Sequence, residues 1–322
     1  MVHEPSVIFC ADTVIVASAV IVVSIYRSVI TVSSSIIFYK GKKKNGNSKL
    51  FLKKFAIFKI LMCNFAGETI LRQDMKFIAI IPARYASTRF PGKPLAILGG
   101  KTVIQRVYEQ AASVLEEAYV ATDDERIFQH VESFGGKAVM TRADHQSGTD
   151  RIEEAAEKIG TMADVIINVQ GDEPFIQKSQ LETLKDLFRY TETQIGTLGK
   201  PFDTIEAALN PNSPKIVTDR RGFALYFSRS IIPFVRGEEQ QNWLQHFPFM
   251  KHLGIYAYRR EVLRQITRLP QSQLEIAESL EQLRWLENGF RIRVGTTDVE
   301  TVGIDTPEDL QRAEAFLLSA DK

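Results

Sequence analysis

Cysteine is nearly absent from this chain, with two in 322 residues, Cys10 and Cys63. Both fall within the first 74 positions, so residues 75–322 have no thiol for a disulfide framework or a thiolate zinc site. Histidine is scarce too: His3, His130, His145, His246 and His252 are scattered without ligand spacing, which argues against zinc chemistry. A charge excess is also missing, since the net charge is +1. That balance hides an asymmetry. Residues 1–74 are markedly basic, whereas residues 75–322 carry more acids than bases. A body of that sign has no general attraction for nucleic acid, so any polyanion it holds needs a local cluster of cations. The hydrophobic share of 44% and charged share of 25% are those of a soluble globular protein with an ample core.

No uncharged apolar run reaches the roughly 20 residues that span a bilayer. Thr13–Tyr26 is rich in Val and Ile, Arg27 interrupts it, and residues 28–39 are apolar again. Read across Arg27, the two pieces make a poor transmembrane helix with Lys40–Lys44 as a cytoplasmic anchor. No basic region precedes the run and no small-residue cleavage site is evident, so it does not resemble a signal peptide. The competing reading is an over-called start, with translation beginning at Met75, immediately before the first clean strand. Either way, residues 1–74 are expected to be a leader outside a body at 75–322, and membrane contact is expected only if that leader is real.

The body alternates short β-branched runs with amphipathic stretches, which predicts an α/β fold with a mainly parallel sheet. Strands are expected at 77–81, 117–122, 137–141, 164–169, 195–198, 215–219, 224–228, 251–258 and 291–295. Helices are expected at 102–115, 124–134, 149–159, 178–190, 260–268, 274–288 and 306–318. A subsidiary β-rich lobe is expected between about Gly199 and Tyr258.

In open α/β sheets, ligands sit beyond the carboxyl ends of strands, and three such ends are unusual here. The first is Pro82–Leu95, where Arg84, Arg89 and Lys93 lie on a loop with prolines near both ends. Fixed cations and backbone N–H groups are what a triphosphate needs. The plain alternative is an exposed basic turn. No G-x-G-x-x-G follows the strand, and Gly100-Lys101-Thr102 lacks the glycine that a P-loop requires at position 95. The second end is Gln170-Gly171-Asp172-Glu173-Pro174, where Asp172 is expected to project to where a phosphate-bound magnesium would sit; alone it reads equally as a capping acid of a strand-to-helix turn. The third is Asp305, just before a helix; alone it reads as a capping acid. Two strand-end aspartates facing one cationic loop favour phosphoryl chemistry.

Further polar segments are Arg142–Arg151, around Ser147-Gly148, and Lys251–Tyr258, which sets His252, Gly254, Tyr256 and Tyr258 on one face of a strand. Glu275, Glu278 and Glu281 recur at helical spacing, usually the mark of a solvated face.

Taken in order with Ala224–Arg229, Leu274-Glu275, Glu281–Arg284 and Gly303–Leu310, these segments resemble the 3-deoxy-manno-octulosonate cytidylyltransferase (CMP-Kdo synthetase) family. The likeness covers essentially all of residues 75–322 and none of 1–74. It implies CMP transfer from CTP to the anomeric hydroxyl of Kdo, with release of pyrophosphate, in a Gram-negative cytoplasm. It further implies a Rossmann-like sheet of the nucleotide-diphospho-sugar transferase (GT-A-like) type and a homodimer joined through the inserted lobe. Residue by residue, Ala83, Arg84, Lys93, Arg142, Ser147 and Gly148 are expected at the nucleotide, with Arg84, Lys93 and Asp172 catalytic. Asp172 and Asp305 match the family's magnesium ligands. Arg89, Gln170, His252, Tyr256 and Glu275 are expected around the sugar acid. The rivals are the same chemistry on another nonulosonate or a sugar 1-phosphate, and a membrane-tethered nucleotide sensor without turnover.

Overall fold

The computed structural model describes residues 8–10, 13–26, 29–41, 75–300 and 303–320. The chain divides into two compact units, residues 1–66 and 67–322. In the first, strands β1 (Ile8–Cys10), β2 (Thr13–Tyr26) and β3 (Val29–Gly41) form an antiparallel sheet whose long pair runs from Val14↔Gly41 to Tyr26↔Val29. The helix expected across Arg27 is therefore not formed. Runs dominated by Val, Ile, Ser and Thr favour extended backbone because branching at Cβ restricts χ1. Arg27 and residues 42–74 lie outside the described residues. Among the described residues, no helix is long and apolar enough to cross a membrane.

The second unit is built on a nine-stranded sheet. Its larger parallel part comprises β4 (Phe77–Ala83), β7 (Glu117–Thr122), β8 (Ala138–Met140) and β9 (Val165–Asn168), in the spatial order β9-β4-β7-β8. The chain moves outward from β4 through β7 to β8, then returns to place β9 on the other side of β4. The strand order thus reverses between β4 and β9, and a crevice opens there beyond the carboxyl ends of the strands. The antiparallel strand β13 (Met250–Arg259) flanks β9. It also pairs with β10 (Ile195–Pro201) and β11 (Lys215–Thr218); β12 (Ala224–Ser228) and β14 (Ile292–Thr296) complete the sheet. A two-stranded hairpin, β5 (Ile97–Leu98) with β6 (Lys101–Thr102), precedes the first helix.

The period-two alternation of Phe77–Ala83 feeds two cores. Ala79, Ile81 and Ala83 face α1 (Val103–Ala112), α2 (Glu125–Ser133) and α4 (Lys178–Leu187). Ile78 and Ile80 face α3 (Gly148–Ile159) and α7 (Arg260–Ile266). Each fully buried isoleucine contributes on the order of 1.5–3 kcal/mol. Both faces of the sheet are covered, which explains why the strand reads as a continuous apolar run.

The expected lobe at about 199–258 begins and ends inside strands of this sheet. Phe202 N–H donates to Phe249 O at 2.9 Å, closing an excursion that includes α5 (Ile205–Leu209) and α6 (Trp243–His246). Phe202, Ala208, Trp243 and Phe249 give it a small core of its own. The helix expected at 274–288 is two: α8 (Gln273–Glu278) and α9 (Gln282–Glu287). Between them Ser279 adopts a left-handed conformation (φ 50°), which ends the first helix. The last helix is α10 (Pro307–Ala320).

Candidate functional site

The loops after β4 and β9 meet at the point where the strand order reverses. They enclose a cavity of about 430 Å³ lined by Ala83, Arg84, Arg89, Lys93, Ser147, Gly148, Gln170, Asp172 and Asp305, among others. Two glycines make this meeting possible. Gly92 (φ 72°) donates its N–H to Tyr85 O at 2.9 Å, closing the cationic loop through a left-handed turn. A Cβ on Gly171 would lie 2.6 Å from Pro82 O, so only glycine lets the second loop press against the end of β4.

Asp172 and Asp305, far apart in sequence, are joined through the backbone. Ile304 N–H donates to Asp172 O at 2.9 Å, while the Ile304 side chain is fully buried with Leu98, Val103 and Ala313. Asp309 Oδ2 accepts from Asp305 N–H and Thr306 N–H at 3.0 and 2.9 Å, which fixes the turn before α10. The two carboxylates converge on one cation: Lys93 Nζ lies 2.6 Å from Asp172 Oδ2 and 3.1 Å from Asp305 Oδ1. Arg89 reaches the other Asp305 oxygen at 3.1 Å. Arg84 is exposed and pairs with no acid among the described residues. The neighbouring Glu173 has a buried Oε2 without a hydrogen-bond partner. Burial, and secondly Asp172, push its carboxyl up to about 8.

A pair of carboxylates open to a cavity suits a hard divalent ion such as magnesium, which takes few protein oxygens and retains water and phosphate ligands. Among the described residues no group of three His, Cys, Asp or Glu forms a closed cage. The donor set therefore fits magnesium and not structural zinc.

The opposite wall is the start of α3. Ser147 caps it, its Oγ accepting from Asp150 N–H at 3.1 Å while Asp150 Oδ2 accepts from Ser147 N–H at 3.2 Å. The positive end of this helix thus faces the cavity, a favourable place for anionic oxygens. The preceding loop is held by two groups that carried no separate signal in the sequence. Arg151 is buried and donates to Thr141 Oγ1 at 2.5 Å and to Asp123 Oδ2 at 3.0 Å. Glu154, one turn further on, accepts from Arg142 N–H at 3.1 Å, Lys158 Nζ at 2.8 Å and the His145 ring. Burial alone would raise the Glu154 pKa, but hydrogen bonds from Lys158, Arg142 N–H and His145 bring it down to about 2.

Four of the residues expected as ligands do not line the first cavity. Arg142 and Glu275 line a second, larger cavity of about 1170 Å³, which shares only His145, Gln146 and Ser147 with the first. Arg142 is exposed there, beside Asp144 and Glu154. Glu275 is buried and occupied by protein groups, caps α8 through Ser272 N–H at 3.2 Å, and pairs with Arg284 Nε at 3.1 Å. His252 and Tyr256 line neither cavity; both are buried on the face of β13 roofed by Trp285 and Phe227. The Thr197 hydroxyl donates to Ile255 O at 2.7 Å, so it accepts from His252 Nε2–H at 3.2 Å, which defines a neutral tautomer. Burial lowers that imidazole to a pKa of about 3. Gln170, by contrast, is in the first cavity and leans on this strand through Gly254 O at 3.4 Å.

The glutamates read as a solvated face are also tied down. Glu278 accepts from Ser228 Oγ at 2.7 Å and Arg229 N–H at 2.9 Å; Glu281 accepts from Thr149 Oγ1 at 2.9 Å. Glu281 lines the larger cavity, and burial raises its pKa.

A family profile described as cytidylyltransferase matches residues 78–292. The chain is 65% identical over 246 residues to the 3-deoxy-manno-octulosonate cytidylyltransferases of Phocaeicola vulgatus and Bacteroides thetaiotaomicron, covering 76% of this chain and 98% of each relative. It also resembles the solved structure of a CMP:2-keto-3-deoxy-manno-octonic acid synthetase complexed with CTP. There the TM-score is 0.71 at 45% identity, covering 76% of this chain and 99% of the other.

Proposed function

The chain belongs to the 3-deoxy-manno-octulosonate cytidylyltransferase family, and on that premise we propose that it transfers CMP from CTP to the anomeric hydroxyl of Kdo, releasing pyrophosphate. The observation that carries this reading is the convergence of Asp172 and Asp305 on one cation, at a cavity that Arg84 and Arg89 also line. That arrangement is suited to a triphosphate and its metal. We place the reaction in the cytoplasm of a Gram-negative cell, as an activation step for lipopolysaccharide synthesis.

Asp172 and Asp305 would hold magnesium, which when bound supplies Lewis-acid charge at the α-phosphate and lowers the pKa of the attacking hydroxyl. Arg84 and Lys93 neutralise the phosphates, and the N-terminus of α3 at Ser147-Gly148 offers backbone donors to the nucleotide. Arg89 and Gln170 lie in the same cavity and receive the sugar acid, with Arg89 facing its carboxylate. The fixed loops hold the sugar hydroxyl in line with the α-phosphorus; positioning and charge neutralisation carry most of such a reaction.

The test is pyrophosphate and CMP-sugar formation by the full chain with CTP, Kdo and magnesium, each omitted in turn. Turnover only with a sugar 1-phosphate would refute the acceptor, and binding of CTP without turnover would favour a sensor.

A homodimer is also inferred. Phe234 is 74% exposed yet packs edge-on against Trp243 at 5.0 Å, on the small core of the excursion between β10 and β13. An exposed aromatic continuous with a satellite core suits a second copy of the chain. Sedimentation should find the wild type at twice the monomer mass and Phe234→Glu at the monomer mass. A monomeric wild type refutes the inference.

A further inference from the structure

The geometry points to Lys93 as a placeholder for the metal: its ammonium occupies the seat between Asp172 and Asp305 and yields it to a metal that arrives with its nucleotide. This rests on the cytidylyltransferase reading and adds an order of assembly to it.

Lys93 Nζ sits 2.6 Å from one carboxylate and 3.1 Å from the other, and its side chain is 13% exposed. Its backbone is held in a short 3₁₀ turn, Lys93–Leu95, with Gly92 before it and the buried Pro94 within it. Only the four-carbon stem is therefore free to move. Without a cation the two carboxylates would face each other as like charges across a partly buried space, an arrangement that costs energy. The ammonium, with Arg89 on the other Asp305 oxygen at 3.1 Å, offsets that cost and keeps the two facing oxygens aimed at one point.

A bare divalent ion entering this seat must displace the ammonium from both carboxylates. Among the described residues Lys93 pairs with no third acid. An ion entering on a triphosphate brings the acceptor along, because the displaced ammonium can move onto phosphate oxygens. Metal and nucleotide are thereby coupled through one side chain, and such coupling is reciprocal. Arg84 lines the same cavity without contacting either carboxylate, so it can serve nucleotide affinity without guarding the metal seat.

The test is Mn²⁺ binding to the full chain without nucleotide, followed by the loss of the free-ion paramagnetic resonance signal. Lys93→Met keeps the stem and deletes the charge; it should bind Mn²⁺ at least about fivefold more tightly than wild type. CTP affinity measured with saturating metal should fall in the same variant. Lys93→Ala gives a second measurement should the Met side chain fail to fold. Arg84→Ala should leave nucleotide-free Mn²⁺ affinity within about twofold of wild type, since it vacates no seat. Unchanged or weaker Mn²⁺ binding by the folded Lys93 variants would overturn the proposal. Equal tightening by Arg84→Ala would do so as well, by reducing the effect to the general field of the loop. Wild-type turnover of CTP and Kdo is measured in the same preparation. Its absence would refute the functional reading while leaving the metal titration as a separate result.

Discussion

Replacing Arg284 with methionine should cost about 3–5 kcal/mol of folding stability, because it leaves two glutamates near one another without their shared cation. Arg284 is buried to 9% exposure at its side chain, and its NH1 donates to Leu269 O at 3.0 Å. Its Nε approaches Glu275 Oε2 at 3.1 Å, an ion pair whose angle is too poor for a hydrogen bond. Its NH2 approaches Glu281 Oε1 at 3.1 Å. The guanidinium thus ties α8 to the start of α9 across the left-handed turn at Ser279. Methionine retains most of the stem's packing, so the loss reports the charge and not a large cavity. At roughly 2–4 °C per kcal/mol for a body of this size, the melting temperature should fall by roughly 6–20 °C. The deficit should also depend on pH. Glu281 already has a raised folded pKa, chiefly from burial, and Arg284 works against that rise. Without Arg284 the glutamate takes up a proton more readily in the folded state than in the unfolded one. Stability relative to wild type should therefore recover as pH falls from about 8 toward the unfolded carboxylate pKa of about 4.3. Urea denaturation at pH 8 and pH 5 measures both effects. A deficit below about 1 kcal/mol, or one that is larger at pH 5, would show that these charges are not buried together as described.

Asp172→Asn should lower kcat by at least about a thousandfold, equivalent to about 4 kcal/mol, with the melting temperature nearly unchanged; a wild-type rate of pyrophosphate release would refute the metal assignment. Gly171→Ala should cost about 1–3 kcal/mol in urea denaturation, since its Cβ would meet Pro82 O at 2.6 Å. The same shift should reduce kcat/KM by about a hundredfold by moving Asp172, and a fully active alanine variant would show that the close approach is not required. Glu154 has a depressed folded pKa, so its contribution is present above about pH 4.5 and is lost as pH falls toward 2. Glu154→Gln should accordingly remove about 1–3 kcal/mol at pH 7 and flatten the acid limb of the stability curve, whereas parallel wild-type and variant curves would contradict this.

Much of this architecture was legible because the relevant signals are local. The apolar run of Phe77–Ile81, the Ser147 cap and the Asp172 turn each declare themselves within a few residues. So do the cations of Pro82–Leu95, and the structure brings Arg84, Arg89, Lys93, Asp172 and Asp305 into one cavity. What was not legible depended on which surfaces other elements cover. Period two sets His252 and Tyr256 on one face of a strand, but it cannot say that Trp285 will roof that face and exclude it from the cavity. Spacing gave Glu275, Glu278 and Glu281 a common helical phase, and one left-handed residue, Ser279, breaks that phase and turns each acid to a different partner. Arg142 and Ser147 are five positions apart, yet the loop between them is itself the partition between two cavities.

The pairing of Asp172 with Asp305 has a different explanation. Each aspartate alone reads as a helix-capping acid, and nothing local joins them. They are brought together by Ile304, an apolar residue whose burial with Leu98, Val103 and Ala313 docks its backbone N–H onto Asp172 O. The proposed metal seat therefore depends on a hydrophobic contact as much as on its carboxylates. Its geometry is set by the packing of α10 on the hairpin that precedes α1. That dependence explains why the seat is recognisable from sequence only when both loops are considered together, and why its two oxygens can face one ammonium without a third acid to fix them.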